Sequence, residues 1–313
     1  MADHMRFEPA RVCIYCGSRG VSLSQEHIIP LGLNGNLLLP EASCEACSKA
    51  TQKIEEFCLK KMLINTRTRH KLRTRRPKNR PKSFVVDIGD PSGATAAKVV
   101  SVDYLPTQSF AMPAYDLPGM VQDEHDDSKL SREILASMSA ADAEGLVGLG
   151  GGTKPVAMTI GTIDFRIFDR MLAKIAHSYA YAMLGPTGFE PRLANLIRYG
   201  GKASRLWVGG YAKRYPPSQH LWEIGMGEMR SPSGKTFTCV AIRLFSWMAT
   251  PIYVIAVGER HGGLSTGIRP GGHCASVNVD LVDMQGRPLP SQQRSWGPGL
   301  HAYLMELNGP AGV

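Results

Sequence analysis

Two Cys-x-x-Cys pairs, Cys13/Cys16 and Cys44/Cys47, restrict the start of this chain more than any other feature. About 27 residues separate the pairs. Each pair can supply two adjacent corners of a tetrahedron, and the loop between them is long enough to return. The spacing therefore predicts a four-thiolate zinc site. One such pair alone would be a weak signal; two make a strong one. The plainest role for the metal is to staple a small ribbon that buries too little apolar surface to stand alone. That role leaves Glu26-His27 unexplained. The pair lies between the cysteines, just before an apolar run and a Gly/Asn turn.

The order CIYC, QEHIIP, GNLLLP and ASCEAC resembles the HNH endonucleases, and more closely a variant with EHIIP, GNLxLP and ASCxxC. The match covers roughly residues 13 to 60 and continues more loosely into TRRPKNRPK. The resemblance implies a zinc-stapled ββα-metal unit, two short strands and a helix. Phosphodiester hydrolysis needs a base for the attacking water and commonly a divalent cation on the phosphate. By resemblance His27 is that base, since an imidazole is mostly neutral at cellular pH. Asn36 would hold the strand and orient the histidine. Glu26 would bind the catalytic cation, Mg²⁺ or Mn²⁺, as a hard oxygen ligand. Where the family often has Asn or His after the last cysteine, this chain has Ser48, a poor second ligand. Thr51, Gln52 and Glu55 share the face of Ser48 by helical spacing. Glu55 is the carboxylate among them, but it lies roughly 10 Å further along the helix axis.

Charge points to a partner. The 313 residues carry a net charge of +9, yet no acidic residue occurs between Glu56 and Asp87, and residues 60 to 82 hold eleven Lys or Arg. Such a run is the footprint expected for a phosphate backbone, whose binding gains from counterion release. Arg67, Arg69, Lys71, Arg73, Arg75, Arg76, Lys78 and Arg80 are the candidate nucleic-acid contacts. No aromatic residue lies between Phe57 and Phe84 to stack bases, which favours duplex DNA over single strands. The plain alternative is a solvated linker.

The length allows a sizeable core and two units. We expect a zinc-bound nuclease unit at 1–66, a basic helix end and linker at 67–82, and an α+β domain at 83–313. No apolar run approaches the ~20 residues of a membrane span. Four of the seven cysteines have metal spacing, which suggests a reducing, cytoplasmic setting. Cys58, Cys239 and Cys274 read as packing residues.

Along the chain, Ser43 is the expected N-cap of a helix from Cys44, with helical pattern to about Leu72 and breaks at Pro77 and Pro81. FVVDI and AKVVSVDYL read as strands. The acidic run DEHDD at 123–127 reads as an exposed loop. SREILASMSAADAEGL reads as a helix with Ile134, Leu135 and Met138 inward, and GLGGG at 148–152 as a connection that is no phosphate loop. VAMTIGTIDFRIF reads as a strand or strand pair. It leads into the best helix, with a stripe of Phe168, Met171, Leu172, Ile175, Tyr179, Ala182 and Met183, stopped at Gly185. A short helix at 190–199 follows, then strands near 204–211, 220–230, 236–248, 251–258 and 275–283. Short turns between neighbouring strands argue a mostly antiparallel sheet with helices on one face. His261 and His273, in a Gly-rich segment, are not read as a second metal site.

Three functions fit these readings. The first is a metal-dependent nuclease, of the kind used in restriction or phage defence. The second is a non-catalytic zinc module that binds nucleic acid. The third is a C-terminal domain that senses a small molecule or protein regulator and controls a nuclease effector. One HNH centre cuts one strand at a time, so a double-strand break would need a homodimer or two successive nicks.

Overall fold

The computed structural model describes residues 4–89, 95–104, 109–138, 157–159, 163–211, 215–259 and 272–276. Strand β1 (Met5–Arg6) pairs parallel with β3 (Leu37–Cys44), which pairs antiparallel with β2 (Leu23–His27). β3 runs directly into helix α1 (Glu45–Phe57). The turn between β2 and β3 closes tightly. Asn34 adopts a left-handed φ of 56°. Gly35 packs so close to the chain that a Cβ there would sit 1.9 Å from the Ile29 carbonyl oxygen. The helix starts one residue later than expected: Cys44 holds the N-cap position without a side-chain cap, and Ser43 ends up in the strand. A π turn at Cys58–Met62 interrupts the expected continuous helix before α2 (Ile64–Arg69).

Then come two hairpins. β4 (Ser83–Gly89) pairs with β5 (Thr95–Ser101) as the β-branched runs predict. β6 (Ser109–Tyr115) passes through the short helix α3 (Gly119–Gln122) before pairing with β7 (Arg132–Met138). Here one expectation fails. REILASM is a strand, not a helix, and Ile134 is 56% exposed. Its cross-strand partner is Pro113, and the ladder with β6 overrides the local helical pattern. The rest of that expected helix, and the GLGGG connection, lie outside the described residues. So do His261 and most of its Gly-rich segment.

After β8 (Ala157–Thr159), which pairs with β4, helix α4 (Phe165–Leu184) forms the centre of the molecule. Its start is fixed by Asp164, whose side chain accepts from the amides of Arg166 and Ile167 at 3.0 and 3.2 Å. The DFRIF segment expected as strand is therefore cap and first helical turn. Gly185, at φ 69°, ends the helix as expected. From Phe168 to Ala180 the helix is buried on nearly every side, so it is a core helix and not a surface one.

The main sheet follows: β9 (Glu190–Pro191), helix α5 (Ala194–Tyr199), β10 (Val208–Tyr211), β11 (His220–Arg230), β12 (Thr236–Leu244), β13 (Ile252–Glu259) and β14 (Gly272–Ser276). Its order is β10-β13-β12-β11-β14, with β9 on β13, and every pairing is antiparallel. Alternation along the strands sets the two faces. Tyr253, Ile255 and Val257 join Val240, Ile242 and Leu244 in the cluster with α4. Val254 and Ala256 face the other way, under Val121, Leu117 and Trp207. Cys58 and Cys239 are buried packing residues as expected. The fold is thus mixed α and β with antiparallel sheets. Among the described residues no helix is long and apolar enough to cross a membrane.

The division into separate units looks different in three dimensions. Ile14, Ile28, Ile29, Ile54 and Cys58 share one continuous apolar cluster with Phe168, Met171 and Ile175 of α4. The N-terminal unit packs its apolar face directly on α4.

Candidate functional site

The four cysteines converge. Cys13 and Cys16 lie on a turn closed by the Gly17 amide donating to the Cys13 carbonyl at 2.8 Å. Cys44 and Cys47 come from the junction of β3 with α1. All four sulfurs lie within 4.8 Å of one another, and the Cys16 and Cys44 sulfurs are 3.7 Å apart. A tetrahedral site with zinc–sulfur bonds of about 2.3 Å has sulfur–sulfur edges of roughly 3.8 Å. The cluster can therefore hold a metal ion such as zinc. Burial raises the Cys13 and Cys47 thiols. At Cys16 burial also opposes the thiolate, but hydrogen bonds from Ser18 outweigh it and bring the thiol to about 6.

His27 ends β2, opposite Leu38 of β3, and is half-buried. Its ring lies 6.4 Å from that of His4. Burial, then the nearby Lys174, lower its pKa, and His4 and Arg75 act in the same direction against Glu55. The imidazole is held neutral at neutral pH, the state a general base needs. Asn36 is half-buried just before β3, and its main-chain carbonyl accepts from the Met5 amide at 2.9 Å. It thus helps hold β1 against the strand.

Glu26 turns inward and is only 6% exposed. Its Oε1 lies 2.5 Å from the Nζ of Lys174, a fully buried residue of α4. The same ammonium lies 2.6 Å from Glu55 Oε1 and donates to the His27 carbonyl at 2.5 Å. Burial raises the Glu26 carboxyl even beside Lys174. For Lys174, burial opposes the charge, and the two carboxylates outweigh it and raise the pKa. This changes the reading of the catalytic cation. As placed, Glu26 does not fit as ligand to a divalent ion, because the ion would be brought against a buried ammonium at close range. Ser48 is half-buried on α1, and its carbonyl accepts from Thr51 Oγ1 at 3.1 Å. The carboxylate that meets Glu26 is Glu55, reached through Lys174 and not through the helix axis.

The basic segment divides into two sets. Arg67 does not face solvent as a phosphate contact: its Nε donates to Gly32 O and its Nη1 to Leu59 O, each at 2.7 Å, and its Nη2 to Arg73 O at 3.2 Å. Burial, then Arg80, brings its pKa to about 10. Arg80 donates to the Leu72 carbonyl at 2.6 Å, and Arg69 lies 3.9 Å from Asp103. The Arg73 amide donates to Asn34 Oδ1 at 2.7 Å, which ties this segment to the β2–β3 turn. Arg67 and Arg80 therefore fold the segment; Lys71, Arg75, Arg76 and Lys78 are exposed. The acidic run at 123–127 is held by local partners, with Asp123 accepting from Ser233 and Asp126 from Ser128.

Sequence reasoning missed three polar residues inside α4. Asp169 accepts from Tyr115 Oη at 2.6 Å and from Ser204 Oγ at 2.5 Å. His177 Nε2 donates to the Ile14 carbonyl at 2.7 Å. Lys174 is the third. The signal was there: Asp169, Lys174 and His177 fall within the segment that carries the apolar stripe, and a helix buried on nearly every side buries them too. No family model, curated protein or solved structure matches this chain.

Proposed function

We propose that this chain is an endonuclease of the HNH kind that hydrolyses phosphodiester bonds in duplex DNA, with His27 as general base. The observation that carries this reading is the juxtaposition of a half-exposed, neutral His27 with the four-cysteine cluster on one strand–strand–helix unit. In this reading a metal in the cysteine cluster braces the β3–α1 junction, and His27 takes the proton from the attacking water. Arg75, whose charge is felt at His27, and the exposed Arg76, Lys71 and Lys78 receive the phosphate backbone. A divalent cation would supply charge stabilisation at the phosphate. Glu26, engaged by Lys174, is no longer its expected ligand.

The test is incubation of zinc-loaded protein with supercoiled plasmid, with and without Mg²⁺ or Mn²⁺, beside His27→Ala. The variant should lose at least about a hundredfold in cleavage rate, as general-base removal does. Zinc content and duplex retention should stay near wild type. Robust cleavage by His27→Ala would remove the mechanism. The engagement of Glu26 by Lys174 favours one second reading, a zinc module that binds nucleic acid without cutting it. Retention of duplex with no nicking under either cation would establish that reading instead.

A further inference from the structure

An ammonium has three protons, and around Lys174 they meet three close acceptors from two other elements, Glu26 and the His27 carbonyl on β2 and Glu55 on α1, with the Ile28 carbonyl further off at 3.5 Å. A buried lysine persists only when its charge is paired and its donors are satisfied, and both conditions hold here. Charge balance alone would require only the carboxylates. The contact with the His27 carbonyl goes further, since it fixes the main chain from which the imidazole projects. It also draws α4, 147 positions along the chain, into the histidine's immediate support.

We infer that Lys174 is a positioning residue for the His27 centre, its buried ammonium tying Glu26, Glu55 and the His27 carbonyl together where a divalent cation would otherwise draw on Glu26. The inference rests on the reading of His27 as the base. Lys174 touches neither substrate nor water in this role; it acts by holding the strand end that carries the imidazole. Glu26 belongs to this support and not to the cation.

The experiment compares four full-length, zinc-loaded proteins: wild type, Lys174→Met, Lys174→Arg, and the neutral triple variant Glu26→Gln, Glu55→Gln, Lys174→Met. The triple variant is included because Lys174→Met alone strands the buried Glu26 and half-buried Glu55 carboxylates and can fail to fold. Plasmid nicking is measured across plasmid and Mg²⁺ concentrations, with zinc content and melting temperature alongside. The rate at which diethyl pyrocarbonate modifies His27 is read by peptide mass.

A positioning role predicts a kcat loss of about tenfold or more in the triple variant, within the range a displaced base can cost. KM for plasmid and half-saturating Mg²⁺ should stay within about twofold of wild type, and modification of His27 should be faster. Lys174→Arg, which keeps the charge, should recover part of kcat. A folded triple variant with wild-type kcat would mean that Lys174 only balances buried charge, and the inference falls. A half-saturating Mg²⁺ raised tenfold or more would make Glu26 a cation ligand, and the inference falls again. If wild type nicks under no cation, the nuclease reading fails. The modification rate then still decides whether Lys174 holds His27, and an unchanged rate overturns that hold.

Discussion

His177 shows how a single side chain can couple this fold to pH. It is fully buried in α4, stacked 5.6 Å from the Tyr15 ring, with one ring nitrogen donating to Ile14 and Nδ1 without a partner among the described residues. Burial therefore brings its pKa down to about 4. An unfolded histidine titrates near 6.5, so between about pH 6.5 and 4 the unfolded chain binds a proton that the folded chain refuses. The stability this group contributes is present above that window and lost as the pH falls through it, by about 3 kcal/mol at the lower end. Urea midpoints at pH 7 and pH 4.5 should fall further for wild type than for His177→Phe. Equal drops in the two proteins would show that His177 is not responsible. Cysteine ligands and carboxylates titrate in both, so the difference between proteins isolates the imidazole.

Among the elements, the basic segment combines guanidiniums engaged by main-chain carbonyls with exposed cations that the proposed function assigns to the phosphate backbone. Arg67→Ala removes donors from three carbonyls and should cost about 2–4 kcal/mol of stability. Arg75→Ala with Arg76→Ala should leave the melting temperature unchanged and weaken binding to all duplex sequences alike. It should also lower the salt slope by roughly two phosphates' worth, about 0.9 each. Anisotropy titrations at several salt concentrations measure both; an unchanged slope would make the segment a solvated run. Spacing made the cysteine cluster and the end of α4 at Gly185 legible, because each depends on local pattern, and the resemblance implied the strand that ends in His27. The burial of Arg67 was not legible. Its partners Gly32 and Leu59 lie on separate elements, and a guanidinium that props a turn has the same letter as one that meets a phosphate. REILASM misled for a related reason, since its helical spacing was overruled by the ladder with β6. Lys174 and Glu55 were visible as charges, but their meeting with Glu26 depends on how α4 lies across α1, which no local pattern encodes.

At the scale of the whole molecule, the N-terminal unit and α4 share a core and an ion pair. A fragment ending at Lys82 should still take up about one zinc, because its four cysteines are local. It should lack a cooperative melting transition, with Ile28, Ile29 and Ile54 left uncovered. A fragment that melts as sharply as the full chain would refute this. The same feature sets an order of events during synthesis. At roughly 5–20 residues per second, the ribosome needs on the order of ten seconds to add the 147 positions between His27 and Lys174. During that interval Glu26 lacks the Lys174 ammonium, and the His27 carbonyl lacks the donor that α4 supplies. The contact between α4 and the strand end that carries His27 therefore forms only after most of the polypeptide has left the exit tunnel. Ribosome-arrested chains stalled before and after emergence of α4 should therefore both retain zinc, and only the longer ones should resist protease near His27.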